Sequence, residues 1–226
     1  MRARFSIAGA IALLVFAAAP VWAADWPEVP VPDGANGEIV SSHMIYNGLH
    51  MRASRFTVAM SLDQVKAFYR EQWGRAMADT PHRGKTLLGH ATRDARHYIT
   101  VELTAAGNAT RGQIGVMLLP KRAPPPSSLG AGFARMPGTT VAEDIVYLDT
   151  PSRVRTLSLI NRHSPLQNSS FYQRSLLSQG YRGTPIGSPC KPASDACSHS
   201  YSKGDKRIMV SSSKTPAGTT TIAVIE

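Results

Sequence analysis

The sequence predicts an α+β fold made of two tandem repeated modules, each a small antiparallel sheet packed by one helix in the order β-β-α-β-β-β. Three observations carry that expectation. The phrase SLDQVKAFY (61–69) returns as SPLQNSSFY (164–172), with Ser, Gln, Phe and Tyr at matching places. Short runs with apolar residues at period two flank both phrases, the pattern of half-buried antiparallel strands. Between the halves lies LPKRAPPPSSLGAGFARMPG (119–138), whose proline run at 124–126 favours extended, unpaired chain. These features place a first module at 25–119, a linker at 120–138 and a second module at 139–226.

Residues 1–24 read as a secretory signal peptide. Arg2 and Arg4 supply a positive start, residues 7–19 an apolar run, and Val21-Trp22-Ala23 a cleavage site. That run is shorter than the roughly 20 apolar residues a membrane-spanning helix needs. The expected mature chain is exported and soluble, with no transmembrane span, and periplasmic, an extracellular location being the alternative. Removing Arg2 and Arg4 lowers the formal charge from +10 to +8. The surplus is diffuse, with no run of five like charges, which argues against a specific nucleic-acid site and for mild attraction to polyanions.

The elements follow in chain order. Met44-Ile45-Tyr46 echoes Ile145-Val146-Tyr147 at an offset of 101, ahead of alternating runs at 50–60 and 154–161. Each repeated phrase then starts a helix. Ser61 and Ser164 are N-caps, and Gln64 and Gln167 complete capping boxes that satisfy orphan backbone donors. Pro165 stands at the first helical position, where its missing N–H costs nothing. In the first helix Leu62, Val65, Tyr69, Trp73 and Ala76 fall on one side at helical spacing, and Phe68 widens the stripe. Phe171, Tyr172 and Leu176 serve the same face in the second. Gly180 followed by Tyr181 fits a left-handed helix end with an apolar residue folding back. Strand-like runs follow at 86–93, 97–105 and 112–119, and again at 197–203, 206–213 and 219–226.

The pattern FYxxxLxxxGY, carried by Phe171, Tyr172, Leu176, Gly180 and Tyr181, resembles a helix that recurs in small periplasmic proteins and lipoproteins. The first half keeps Phe68 and Tyr69 but has Trp73 and Met77 at the Leu and Gly positions. The resemblance covers the helix alone and implies no activity.

Two cysteines, Cys190 and Cys197, are close enough to pair in an oxidising compartment. Closing so short a loop is worth about 2–3 kcal/mol on the chain-entropy model. The intervening Pro192, Ser194 and Asp195 are turn formers, which points to a structural bridge rather than a redox pair.

Motifs for chemistry are sparse. His43 and His50 are seven apart, as are His90 and His97, but no H-x-x-x-H, H-E-x-x-H or Cys/His cluster exists. Ser211 with Lys214 and Ser200 with Lys203 match S-x-x-K, yet both lie in strand-like chain and not at a helix start. Glu143-Asp144 reads as a strand start. No cofactor, metal or catalytic residue is implied. The expected function is that of a non-enzymatic protein-interaction or scaffolding module in a bacterial envelope assembly, with an envelope protein as partner. The alternative is a binder of anionic lipid or wall polymer, with Arg52, Arg55, Arg153 and Arg155 as contacts. A small hydrolase with a composite site is the third reading.

Overall fold

The computed structural model describes residues 26–82, 84–122, 125, 128–184 and 187–226. The signal-peptide reading, and Pro124 and Pro126 of the proline run, lie outside the described residues. The tandem α+β expectation is overturned. The described residues form one twelve-stranded antiparallel sheet with two short helices, a largely β fold.

The strands are β1 (Asn36–Tyr46), β2 (Leu49–Val58), β3 (Ala78–His82), β4 (Lys85–Ala91), β5 (His97–Ala106) and β6 (Ala109–Leu118). They continue as β7 (Thr140–Tyr147), β8 (Val154–Asn161), β9 (Arg182–Thr184), β10 (Ala196–Lys203), β11 (Lys206–Thr215) and β12 (Gly218–Ile225). Helix α1 (Leu62–Trp73) follows β2, and α2 (Pro165–Ser178) follows β8. Each half therefore has four strands after its helix, one more than the sequence pattern predicts. The additional strands, β3 (ADTPH) and β9 (RGT), are too short and polar to show alternation. Both are outer edges of the sheet, whose order is β3-β4-β5-β6-β2-β1-β7-β8-β12-β11-β10-β9.

That order reads the same from both ends once β1 is matched to β7, β2 to β8, and so on. The two halves are joined at their first strands. Met44 pairs with Tyr147, Ile45 with Val146 and Tyr46 with Ile145. At the sequence offset of 101, Ile45 corresponds to Val146, its own ladder partner. The duplicated tripeptides thus pair with each other about a local two-fold axis, as identical strands do at an isologous dimer interface. The flanking bonds obey the same symmetry. The Asn47 N–H donates to the Asp144 carbonyl at 2.9 Å and the Leu148 N–H to the His43 carbonyl at 3.0 Å. A continuous sheet instead of two small ones results.

Strand register puts both helices on the same face of this sheet. Under α1, Phe56, Val58, Leu88, Val101, Leu103 and Val116 pack around Val65 and Tyr69. Under α2, Leu157, Leu159, Tyr201, Ile208, Val210 and Ala223 pack around Tyr172 and Leu176. Phe56 lies across Gly112, its ladder partner on β6, where a Cβ would overlap the ring. Glycine is needed there for space, not for a special φ.

Both helices begin with the capping box: each Ser side chain accepts the N3 backbone N–H, and each N3 Gln side chain accepts the N-cap N–H. The aromatic pairs repeat as well. Phe68 and Tyr69 meet edge-on with centroids 5.1 Å apart and planes at 81°; Phe171 and Tyr172 do so at 5.1 Å and 83°. Helix α2 ends in a Schellman motif, with Gly180 at φ +85°, its N–H on the Leu177 carbonyl and the Tyr181 N–H on the Leu176 carbonyl. Cys190 and Cys197 form a disulfide, with Cα atoms 5.0 Å apart. None of the described helices is long and apolar enough to cross a membrane.

Candidate functional site

The junction of the two halves is where the sheet is least completed. β1 has eleven residues, all bridged to β2 or adjoining bridged positions, but only Met44, Ile45 and Tyr46 pair with β7. Beyond them the strands diverge, because the ladder is closed off by side chains. Asp149 accepts the Ser42 N–H at 2.6 Å and the Ser41 hydroxyl at 3.0 Å, standing where a further strand carbonyl would be. These hydrogen bonds more than offset the burial that would raise its carboxyl, and hold it below the ordinary carboxylate value. On the symmetric side, the Asn47 side chain accepts the Asp144 N–H at 2.8 Å.

From Asn36 to Val40 the second edge of β1 meets no strand among the described residues. Ile39 and Val40 on this stretch are 60% and 52% exposed, the highest values among the exposed large apolar residues described. The outer edges of the sheet differ. β3 carries Pro81, and Asp79 on it is ion-paired to Lys66 at 3.0 Å and Arg70 at 3.2 Å. β9 has three residues. Proline, charge and brevity are the devices that blunt an edge strand against further pairing. The open backbone with apolar side chains is therefore on β1.

Beside the junction, on the helix face, Asp144 and Arg155 form a two-point clamp. The guanidinium donates to both carboxylate oxygens at 2.8 and 2.7 Å, and to the Ala131 carbonyl at 2.9 Å. Asp144 also accepts the Gly130 N–H at 2.8 Å. Burial alone would raise the Asp144 carboxyl; the Arg155 hydrogen bonds, the Gly130 N–H and the Arg155 charge outweigh it and hold the carboxyl below its ordinary value. The clamp fastens residues 128–133 to the sheet, and Phe133 stacks on Tyr172 with centroids 5.4 Å apart. The C-terminal part of the expected linker is thus packed over the second core. Next to the clamp is a concavity of about 420 Å³ with an apolar floor of Ile45, Val146, Leu129 and Ile225 and with Arg153 on its wall.

The four arginines predicted as anion contacts are not gathered in one place. Arg52 and Arg55 are three apart on β2 and lie on opposite faces of the sheet. Arg55 pairs with Glu38, and Arg155 is held in the clamp. Arg52 lines a separate concavity with the chain at 27–31. Arg153 shares the junction concavity with Arg155. The S-x-x-K pairs lie within single strands, Ser200 and Lys203 on β10 and Ser211 and Lys214 on β11. A three-residue step along a strand puts serine and lysine on opposite faces.

Two features escape sequence reasoning. Glu143-Asp144, read as a strand start, lies inside β7, with Glu143 accepting the Tyr46 hydroxyl at 3.0 Å across the junction. Burial, then the Glu143 charge and this bond, push Tyr46 up to about 12. His43 and His50, seven apart in sequence, approach to 2.8 Å between Nε2 and Nδ1. The Asn-Gly pair at 47–48 between them was the available signal, since it specifies a tight hairpin. Compared with known proteins, the chain matches no family model, no curated protein and no solved structure.

Proposed function

We propose that the chain is an exported, non-enzymatic protein-interaction module of a bacterial envelope assembly, and that it takes an extended segment of a partner protein beside β1. The observation that carries this reading is the open edge at Asn36–Val40 with Ile39 and Val40 exposed, on a sheet whose two outer edges are blunted. Strand addition draws affinity from main-chain hydrogen bonds and selectivity from alternate side chains, and this stretch offers both. The disulfide and the signal-like residues 1–24 support an oxidising, exported setting.

A photo-crosslinking residue at Ile39, tested in the producing cells, is expected to give a discrete protein adduct. The same residue at Leu177, an apolar position 47% exposed on α2, is expected to give none. Lysine at Val40 should abolish the adduct by charging the edge. No adduct from position 39, or equal labelling from 177, would sink the proposal.

The second reading is a ligand of anionic lipid or wall polymer. Arg153 supports it, since it stands over an apolar floor without a carboxylate partner among the described residues. Co-sedimentation with anionic vesicles should then fall steeply between low and physiological salt, and Arg153→Gln should bind more weakly at low salt and with a shallower salt dependence. Binding indifferent to salt would rule this reading out.

A further inference from the structure

We propose that His43 and His50 form a two-point site for a divalent transition-metal ion, with Cu2+ the best fit. The hairpin between β1 and β2 fixes the pair. Asn47 and Gly48 both have positive φ, +49° and +82°, the signature of a type I′ turn, whose twist matches the flanking strands. Ile45 pairs with His50, so His43, two residues earlier on β1, is the diagonal neighbour of His50. Both imidazoles are thus delivered to one spot by rigid backbone.

The two ring nitrogens, His43 Nε2 and His50 Nδ1, stand 2.8 Å apart in a hydrogen bond. Among divalent first-row ions Cu2+ heads the affinity order for nitrogen donors, and its tetragonal geometry accepts two imidazoles side by side. No third His, Cys, Asp or Glu completes a metal cluster among the described residues. Water therefore fills the other positions, which a tetragonal ion at the surface accepts.

In the hydrogen-bonded pair one ring N–H points at the lone pair of the other ring. His50 is exposed, and the site requires its ring to rotate so that both lone pairs converge on an ion outside the pair. Coordination requires His43 to carry its proton on Nδ1 and His50 on Nε2. Two dative bonds form, the hydrogen bond between the rings is lost, and no oxidation state changes. This reading is independent of the partner segment proposed for β1.

Trp26 supplies a reporter, its ring centroid 6.3 Å from that of His43. In a full-length chain carrying Trp22→Phe and Trp73→Phe, CuCl2 is expected to quench Trp26 emission saturably. Electron paramagnetic resonance of the Cu2+ form should show coupling to nitrogen. His50→Ala should move the quenching midpoint at least about tenfold higher, the factor that 1.4 kcal/mol of lost ligation represents. His43→Ala should do the same, and His82→Ala, at an exposed position on β3, should leave the midpoint in place. Circular dichroism checks that each variant is folded. Superimposable titrations for the parent and His50→Ala, absence of quenching in the parent, or a spectrum without nitrogen coupling would each overturn the site and leave a hydrogen-bonded pair only.

Discussion

Replacing Tyr69 or Tyr172 with alanine is expected to lower the free energy of unfolding by about 3–5 kcal/mol, the usual cost of removing a large aromatic from a core. Both rings are buried, 0% and 1% exposed, and each is the centre of its own cluster between helix and sheet. Phenylalanine at either position is expected to keep the stability or raise it by about 1 kcal/mol. The reason is that neither hydroxyl has a hydrogen-bond partner among the described residues, so each carries a desolvation cost without return. Urea unfolding followed by far-ultraviolet circular dichroism checks both. A loss with phenylalanine as large as with alanine would show that the hydroxyl, not the ring, holds the helix.

The same pair predicts an alkaline limb. Burial raises Tyr69 and pushes Tyr172 up to about 12, from an ordinary value of 10.0. The folded state keeps these protons while the unfolded chain releases them near pH 10. Their contribution is therefore fully present below that pH and is lost as pH rises through the folded values. Tyr69→Phe and Tyr172→Phe should each flatten that limb.

Arg155→Ala is expected to cost about 2–3 kcal/mol, because it strands a carboxylate that is otherwise bonded from three donors. Asp144→Ala should cost a similar amount. The double variant should be less unstable than the sum of the two, since the second change removes the group the first left unpaired. Asp144 is held below its ordinary 3.8 in the folded state. Its contribution is thus present above about pH 4 and is lost as pH falls further. Asp144→Asn should weaken the acid limb of a stability-against-pH curve. Additive losses, with an unchanged acid limb in Asp144→Asn, would mean the clamp carries no coupling. Because residues 128–133 hang on this clamp, limited proteolysis of that segment should accelerate in step with the loss.

What was legible in the sequence was local. Ser61, Gln64, Ser164 and Gln167 announce helix starts because a capping box is completed within four residues. Gly180-Tyr181 announces a helix end for the same reason, and CKPASDAC holds both ends of its bridge within eight residues. The strands with strong alternation were found where they are. β3 and β9 were not, because edge strands bury little and need no apolar period.

The assembly of those elements was not legible. The repeat at offset 101 was visible, but nothing local says that Ile45 pairs with Val146. Register across β1 and β7 is set by the fit of two distant strands, and the outcome is one sheet where two modules were expected. The candidate sites share that dependence. Asp144 and Arg155 are neighbours only because β7 pairs with β8, the open edge at Asn36–Val40 lies where Asp149 ends the central ladder, and His43 meets His50 only through the hairpin. By itself the sequence determined the helices, most strands and the duplication, since capping, alternation and turn chemistry act over a few residues. The tertiary structure alone decided that the copies join through their first strands, since strand pairing at that distance in sequence is chosen by the packing of the whole sheet.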